Sequence, residues 1–186
     1  NGSHKKVVNK GKDPKSTVNI MIYGDTKYDA KEAFALKALG EVLTIKLVEE
    51  LRENESGVYG VGARGSMNKV PYGSYNFSIS FPCGPENAEK LTESALRELN
   101  KMVTNGPEQK DLDKFKEASR LEYKESLKDN RYWMAVLKRQ YTDGVNPEEV
   151  FDFEAKLNAL TVKELQDVAK KYLAKDKVIG MLMPEE

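Results

Sequence analysis

Arg52 and Tyr59 stand on either side of a Gly-containing turn, with a guanidinium at the close of one apolar segment and a phenol at the opening of the next. Arg52 ends the run Leu47-Val48-Glu49-Glu50-Leu51-Arg52, and Tyr59 begins a stretch in which residue character alternates. Brought together at a sheet edge, these two groups can both donate hydrogen bonds to a peptide carbonyl or to the oxyanion it becomes. From the spacing alone a plainer assignment is preferred: Arg52 complements the negative end of a helix, and Tyr59 is half-buried core.

Other residues with chemical potential are few. Gly60-Val61-Gly62-Ala63-Arg64-Gly65 matches G-x-G-x-x-G letter for letter. A dinucleotide loop needs that pattern after a strand and at the start of a helix, so that amides and helix dipole meet the pyrophosphate. Here it follows a helical segment, lies within a strand and is soon followed by Val70-Pro71, so its glycines are expected to let a helix sit close on a sheet. One Cys and one His exclude a disulfide within the chain and fall short of a zinc ligand set. Cys83, between Pro82 and Gly84, is expected as a bystander in a turn. His4, beside Lys5 and Lys6, is expected to be exposed. The acidic runs lack the alternating acids and central Gly of a calcium loop. Trp133, with Tyr132 and Met134, is expected as core at helical spacing with Val136 and Leu137.

The elements that must position these groups follow from periodicity. Residues 17–23 alternate and predict a strand with both faces at least partly covered. Asp29 is a suitable N-cap for a long helix to about Glu53, along which Leu36, Leu39, Leu43, Leu47 and Leu51 share a face. Gly40 in mid-helix costs ~1 kcal/mol relative to Ala, and close approach to another backbone is the usual compensation. Strands are predicted over 58–66, with Tyr59, Val61 and Ala63 on one face, and over 74–81 with one wet face. The remainder reads as helices: from Pro85, with Ala88, Leu91, Ala95, Leu99 and Met102 buried; from Glu108, with Leu112, Phe115, Ala118 and Leu121 buried; from Asn130, with Trp133, Val136, Leu137 and Tyr141; from Pro147; and from the Thr161-Val162-Lys163-Glu164 capping box. Residues 177–184 predict a last buried strand. The order implies an α+β fold: one mostly antiparallel sheet with helices packed mainly on one face.

The 186 residues suffice for about one domain. Residues 1–16 are basic and aperiodic and read as a lead-in segment or linker, although Val7 and Val8 offer a chance to pair; residues 17–186 read as the domain. Thirty basic residues balance thirty acidic ones. That neutrality argues against nucleic acid and against an anionic membrane surface as partner. No apolar run reaches the ~18 residues of a membrane span. The sequence opens on Asn1 and is read as a mature chain or an excised piece.

With these residues in view, Leu51-Arg52-Glu53 followed by Gly57-Val58-Tyr59-Gly60-Val61-Gly62-Ala63 closely resembles the Leu-Arg-Glu…Gly-x-Tyr-x-x-x-Ala segment of the pitrilysin/insulinase family of zinc metallopeptidases. The chain is most similar to the last domain of that family's C-terminal half. The strand after Lys15-Ser16, the Leu-rich helix, Asn130 to Trp133, Asn146-Pro147, the Leu160-Thr161 helix start and Met181-Leu182-Met183-Pro184 follow in the same order, so the likeness covers about residues 10 to 186. It implies a clamshell whose first half carries zinc in an H-x-x-E-H motif plus a distal Glu. The second half lacks the metal and contributes an Arg and a Tyr seven apart, matched here by Arg52 and Tyr59. By this resemblance Arg52 holds a substrate carbonyl and Tyr59 hydrogen-bonds the developing oxyanion. No H-x-x-E-H occurs in this chain. The expectation is therefore the C-terminal substrate-binding domain of a larger zinc metalloendopeptidase, partnered by its zinc-bearing N-terminal half and a peptide, and inactive and zinc-free alone. A non-catalytic core or processing-enhancing subunit of the same fold is the alternative. A bacterial periplasmic or envelope location is expected by analogy.

Overall fold

The computed structural model describes residues 2–55 and 57–185. In chain order the elements are β1 (His4–Asn9), β2 (Ser16–Asp25), α1 (Ala30–Leu47), β3 (Gly62–Asn68) and β4 (Ser74–Cys83). They continue with α2 (Ala88–Thr104), α3 (Gln109–Ser126), α4 (Asn130–Asp143), α5 (Phe153–Ala159), α6 (Val162–Tyr172) and β5 (Val178–Met183). The strands form one sheet in the order β1-β5-β2-β4-β3, antiparallel throughout except where β1 runs parallel to β5. This is the α+β architecture predicted, with the helices against one face.

Side-chain alternation explains that one-sidedness. Val18, Ile20 and Ile22 of β2 and Tyr75, Phe77, Ile79 and Phe81 of β4 point inward and are buried. The other face of β2 is open: Asn19, Met21 and Tyr23 are exposed, which corrects the expectation of cover on both sides. Residues 4–9, expected in a lead-in segment, instead add β1 to the sheet, with Val7 beside Met181 and Val8 beside Leu182. β5 lies between β1 and β2, yet only Met181 is buried: Leu182 is exposed and the others are half-buried, which corrects the expectation of a buried strand.

α1 is capped by Asp29, whose side chain accepts from the Glu32 N–H at 2.8 Å. It is the hub of the core, and its ladder of Leu36, Leu39, Leu43, Leu47 and Leu51 is fully buried. Each such side chain contributes roughly 1.5–3 kcal/mol relative to exposure. α1 packs on β3, the terminal strand, at backbone distance: a Cβ on Gly40 would lie 2.8 Å from Gly65 N, and one on Gly65 would lie 2.2 Å from Leu36 O. The Thr44 hydroxyl accepts from the Ala63 N–H at 2.8 Å, occupying an edge donor that another strand would otherwise take.

The predicted stripes fade toward the C-terminal helices. Leu112 and Phe115 of α3 are buried, but Ala118 and Leu121 are exposed. In α4, Trp133 and Val136 are only half-buried, and Met134, Leu137 and Tyr141 are exposed. Trp133 is thus not core. Its indole N–H donates to Leu127 O at 2.8 Å and fastens α4 to the end of α3. The α6 capping box forms as read, and Leu165, Val168, Ala169 and Tyr172 are buried.

Candidate functional site

The site is built where α1 ends. Beyond Leu47 the helix widens into a π-helical stretch, Val48–Asn54. It is closed by the Glu55 N–H donating to Glu50 O at 3.0 Å, while the Gly57 N–H donates to Leu51 O at 3.0 Å. Leu51 is fully buried, and Val58 is buried and bridges to Cys83 across the start of the sheet. Each candidate donor is the residue immediately after one of these apolar anchors. Arg52 follows Leu51 and is exposed; Tyr59 follows Val58 and is 90% exposed. Neither makes a hydrogen bond or ion pair among the described residues.

These placements refine the reading of both residues. Tyr59 is not half-buried core, and it does not share a buried face with Ala63. β3 begins only at Gly62, so residues 58–61 are a connecting segment rather than the first part of a strand. Arg52 does lie in the last turn of the helix, and its guanidinium stays open to solvent.

The intervening segment is held down on α2. The Ser94 hydroxyl donates to Glu55 Oε1 at 2.5 Å, Lys90 Nζ lies 3.0 Å from Glu55 Oε2, and Arg97 stands 3.9 Å from Oε1. Burial pushes the Glu55 carboxyl up, but the Ser94 hydrogen bond and the Lys90 ion pair outweigh it and hold it below the ordinary range. Gly57 meets Leu91 so closely that a Cβ there would stand 2.8 Å from both of its methyl carbons. In sequence, Glu55 and Gly57 mark only a turn. A lone Glu among Asn, Ser and Gly carries no signal of the helix it will meet thirty-odd residues later.

The remaining candidates lie apart from this chemistry. Cys83 is not in a turn but at the buried end of β4, beneath Val58; burial first, then the Glu86 charge, push its thiol up and away from reactivity. His4 is exposed on β1, at the opposite edge of the sheet from β3. Of the three glycines in the G-x-G-x-x-G run, Gly65 alone serves the close helix approach expected of them; Gly60 and Gly62 face open space. No helix follows the run, so no dipole is aimed at it. His4 and Cys83 cannot share a metal, and no group of three or more His, Cys, Asp or Glu among the described residues could hold one.

Comparison with known proteins adds the family. The model of the Peptidase M16 inactive domain matches residues 1–119. The chain is 22% identical over 169 residues to the probable zinc protease PqqL of Haemophilus influenzae, covering 91% of this chain and 18% of that protein. It is 26% identical over 122 residues to a zinc protease PQQL-like protein of Arabidopsis thaliana, covering 62% of this chain and 13% of that one. Among solved structures, the periplasmic protease PqqL from Escherichia coli superposes with a TM-score of 0.80 at 20% identity, covering 99% of this chain and 21% of the other. The chain thus spans about a fifth or less of these relatives. The family model spans well over half of the sequence, and with the sheet order and helical layer it leads to one assignment: this chain belongs to the Peptidase M16 inactive domain family, the non-zinc C-terminal domain of the pitrilysin/insulinase metallopeptidases.

Proposed function

We propose that this chain is the substrate-binding domain of a zinc metalloendopeptidase, and that Arg52 and Tyr59 are its contacts to the peptide. The observation that carries this reading is the pair itself. Two hydrogen-bond donors stand one residue beyond two buried anchors, unpaired among the described residues and turned to solvent. Burying the apolar residue that precedes each donor fixes the backbone while leaving the polar ends free, as a preorganised donor pair requires. Arg52 holds a substrate carbonyl, and Tyr59 donates to the carbonyl oxygen as it gains charge. Hydrolysis itself belongs to a zinc-bearing half outside this chain. The domain takes in residues 4–9 as well as 17–186, since β1 is docked on β5 within the one sheet. A periplasmic or envelope location is proposed from the periplasmic E. coli relative.

The test is peptide hydrolysis by the full-length protein that carries this segment. Arg52→Ala and Tyr59→Phe are each expected to lower kcat/KM about a hundredfold, the usual loss for one oxyanion-type donor, with zinc content unchanged. Retention of full activity by both variants overturns the reading. That outcome favours a structural subunit or a peptide-binding module working through a sheet edge.

A further inference from the structure

We infer that Glu55 is the positioning residue of the Arg52–Tyr59 pair: its carboxylate, gripped by Ser94 and Lys90 of α2, locks the segment that sets where the two donors stand. This rests on the substrate-binding reading above and goes beyond it, because Glu55 itself faces α2 rather than the substrate side.

Three features support it. First, Glu55 is the polar midpoint of a segment that is also fixed by apolar anchors at Leu51 and Val58 and by the Gly57–Leu51 backbone bond. Second, its side chain is only 12% exposed and is received by a prepared face of α2. Ser94 is fully buried and donates to it at 2.5 Å, Lys90 is one turn before and Arg97 about one turn after. Arg97 also donates to the Ser94 oxygen at 2.7 Å, and of the two acceptors within reach of the Ser94 hydrogen, Glu55 Oε1 at 2.5 Å is closer than the Lys90 carbonyl at 3.1 Å. Third, the π-helical end of α1 supplies little restraint of its own. Its wider ring has poorer packing than an α-turn and recurs where a functional segment must be placed. A segment closed by a π-turn and two backbone bonds needs a side-chain fastening to α2, and Glu55 provides it.

A positioning residue acts through the residues it places, and that gives the test. In the full-length protein, Glu55→Ala is expected to lower kcat/KM about tenfold or more, since small misplacements of aligned groups are costly. Glu55→Gln, which can still accept from Ser94, should recover part of the loss. Ser94→Ala, which cuts the same bond from the helix side, should reproduce it. The decisive readout is the Glu55→Ala change made in an Arg52→Ala/Tyr59→Phe background, where it is expected to cost nothing further. If Glu55→Ala and Ser94→Ala leave kcat/KM unchanged while Arg52→Ala and Tyr59→Phe lower it, the positioning role is overturned and the substrate-binding reading stands. The positioning role is equally overturned if the Glu55→Ala loss is undiminished in the double-variant background. If Arg52→Ala and Tyr59→Phe are themselves silent, the substrate-binding reading falls and the role of Glu55 falls with it.

Discussion

Lys46 carries its charge into the joint between α1 and α3, where Asp111 is fully buried and Glu108 lies at the rim. Its ammonium stands 2.6 Å from Glu108 and 3.2 Å from Asp111. Burial works against that charge, but the ion pairs with Glu108 and Asp111 more than reverse it, so Lys46 stays protonated above the ordinary lysine range. Removing Lys46 alone leaves Asp111 buried without a counter-charge. Lys46→Met is therefore expected to lower the unfolding free energy by about 3 kcal/mol, and Lys46→Met/Asp111→Leu to recover most of it, as read by urea denaturation. On the acid side, hydrogen bonds from Lys46 and then Lys110 hold Glu108 down to about 2 from an ordinary 4.5. A depressed folded value means the contribution is complete above about 4.5 and is lost as pH falls toward about 2. Denaturation midpoints should drop through that window, and Glu108→Gln should flatten the drop. None of this is legible in the sequence, because Lys46 and Asp111 read as ordinary helix-surface residues until α3 is laid across α1. Arg52 and Tyr59 stand out through the family resemblance and not through their spacing, which fits a helix end and half-buried core; the exposure of Tyr59 is not legible either, since its alternation with Val61 and Ala63 imitates a strand.

At the scale of elements, the Leu ladder and Gly40 tell most of what α1 does, including a close approach to another backbone at mid-helix. They do not say which backbone. Gly65 supplies it, and the contact explains why a helix so apolar sits at the end of the sheet: α1 seals the edge that β3 would otherwise expose. Gly65→Ala places a methyl 2.2 Å from Leu36 O, which neither backbone can yield without shifting. It is expected to destabilise the fold by about 3 kcal/mol, the upper end of overpacking costs, with a matching fall in thermal midpoint. Gly62→Ala faces open space and should be close to neutral by the same measurement. The C-terminal helices are less legible for a general reason. Periodicity identifies an apolar face but not the surface it will meet. Leu112 and Phe115 reach the α1 core, whereas Leu121, Leu137 and Tyr141 repeat the same spacing beyond its reach. β1 is invisible to periodicity for the converse reason: parallel pairing with β5 is carried by backbone groups, so a fully exposed, lysine-rich strand shows no alternation.

Taken whole, the molecule is a family domain whose relatives are far longer, and among its described residues no group of three or more His, Cys, Asp or Glu could hold a metal. The purified 186-residue chain is expected to hydrolyse no peptide, with or without added zinc; chelator-sensitive turnover by the chain alone would contradict the proposed division of labour. The central claim rests on a phenol, and the most direct measurement removes a single oxygen atom. In the full-length protein, kcat for a cleavable peptide should fall about a hundredfold in Tyr59→Phe, with KM and zinc stoichiometry near those of the parent. A Tyr59→Phe protein turning over at the parental rate would contradict it.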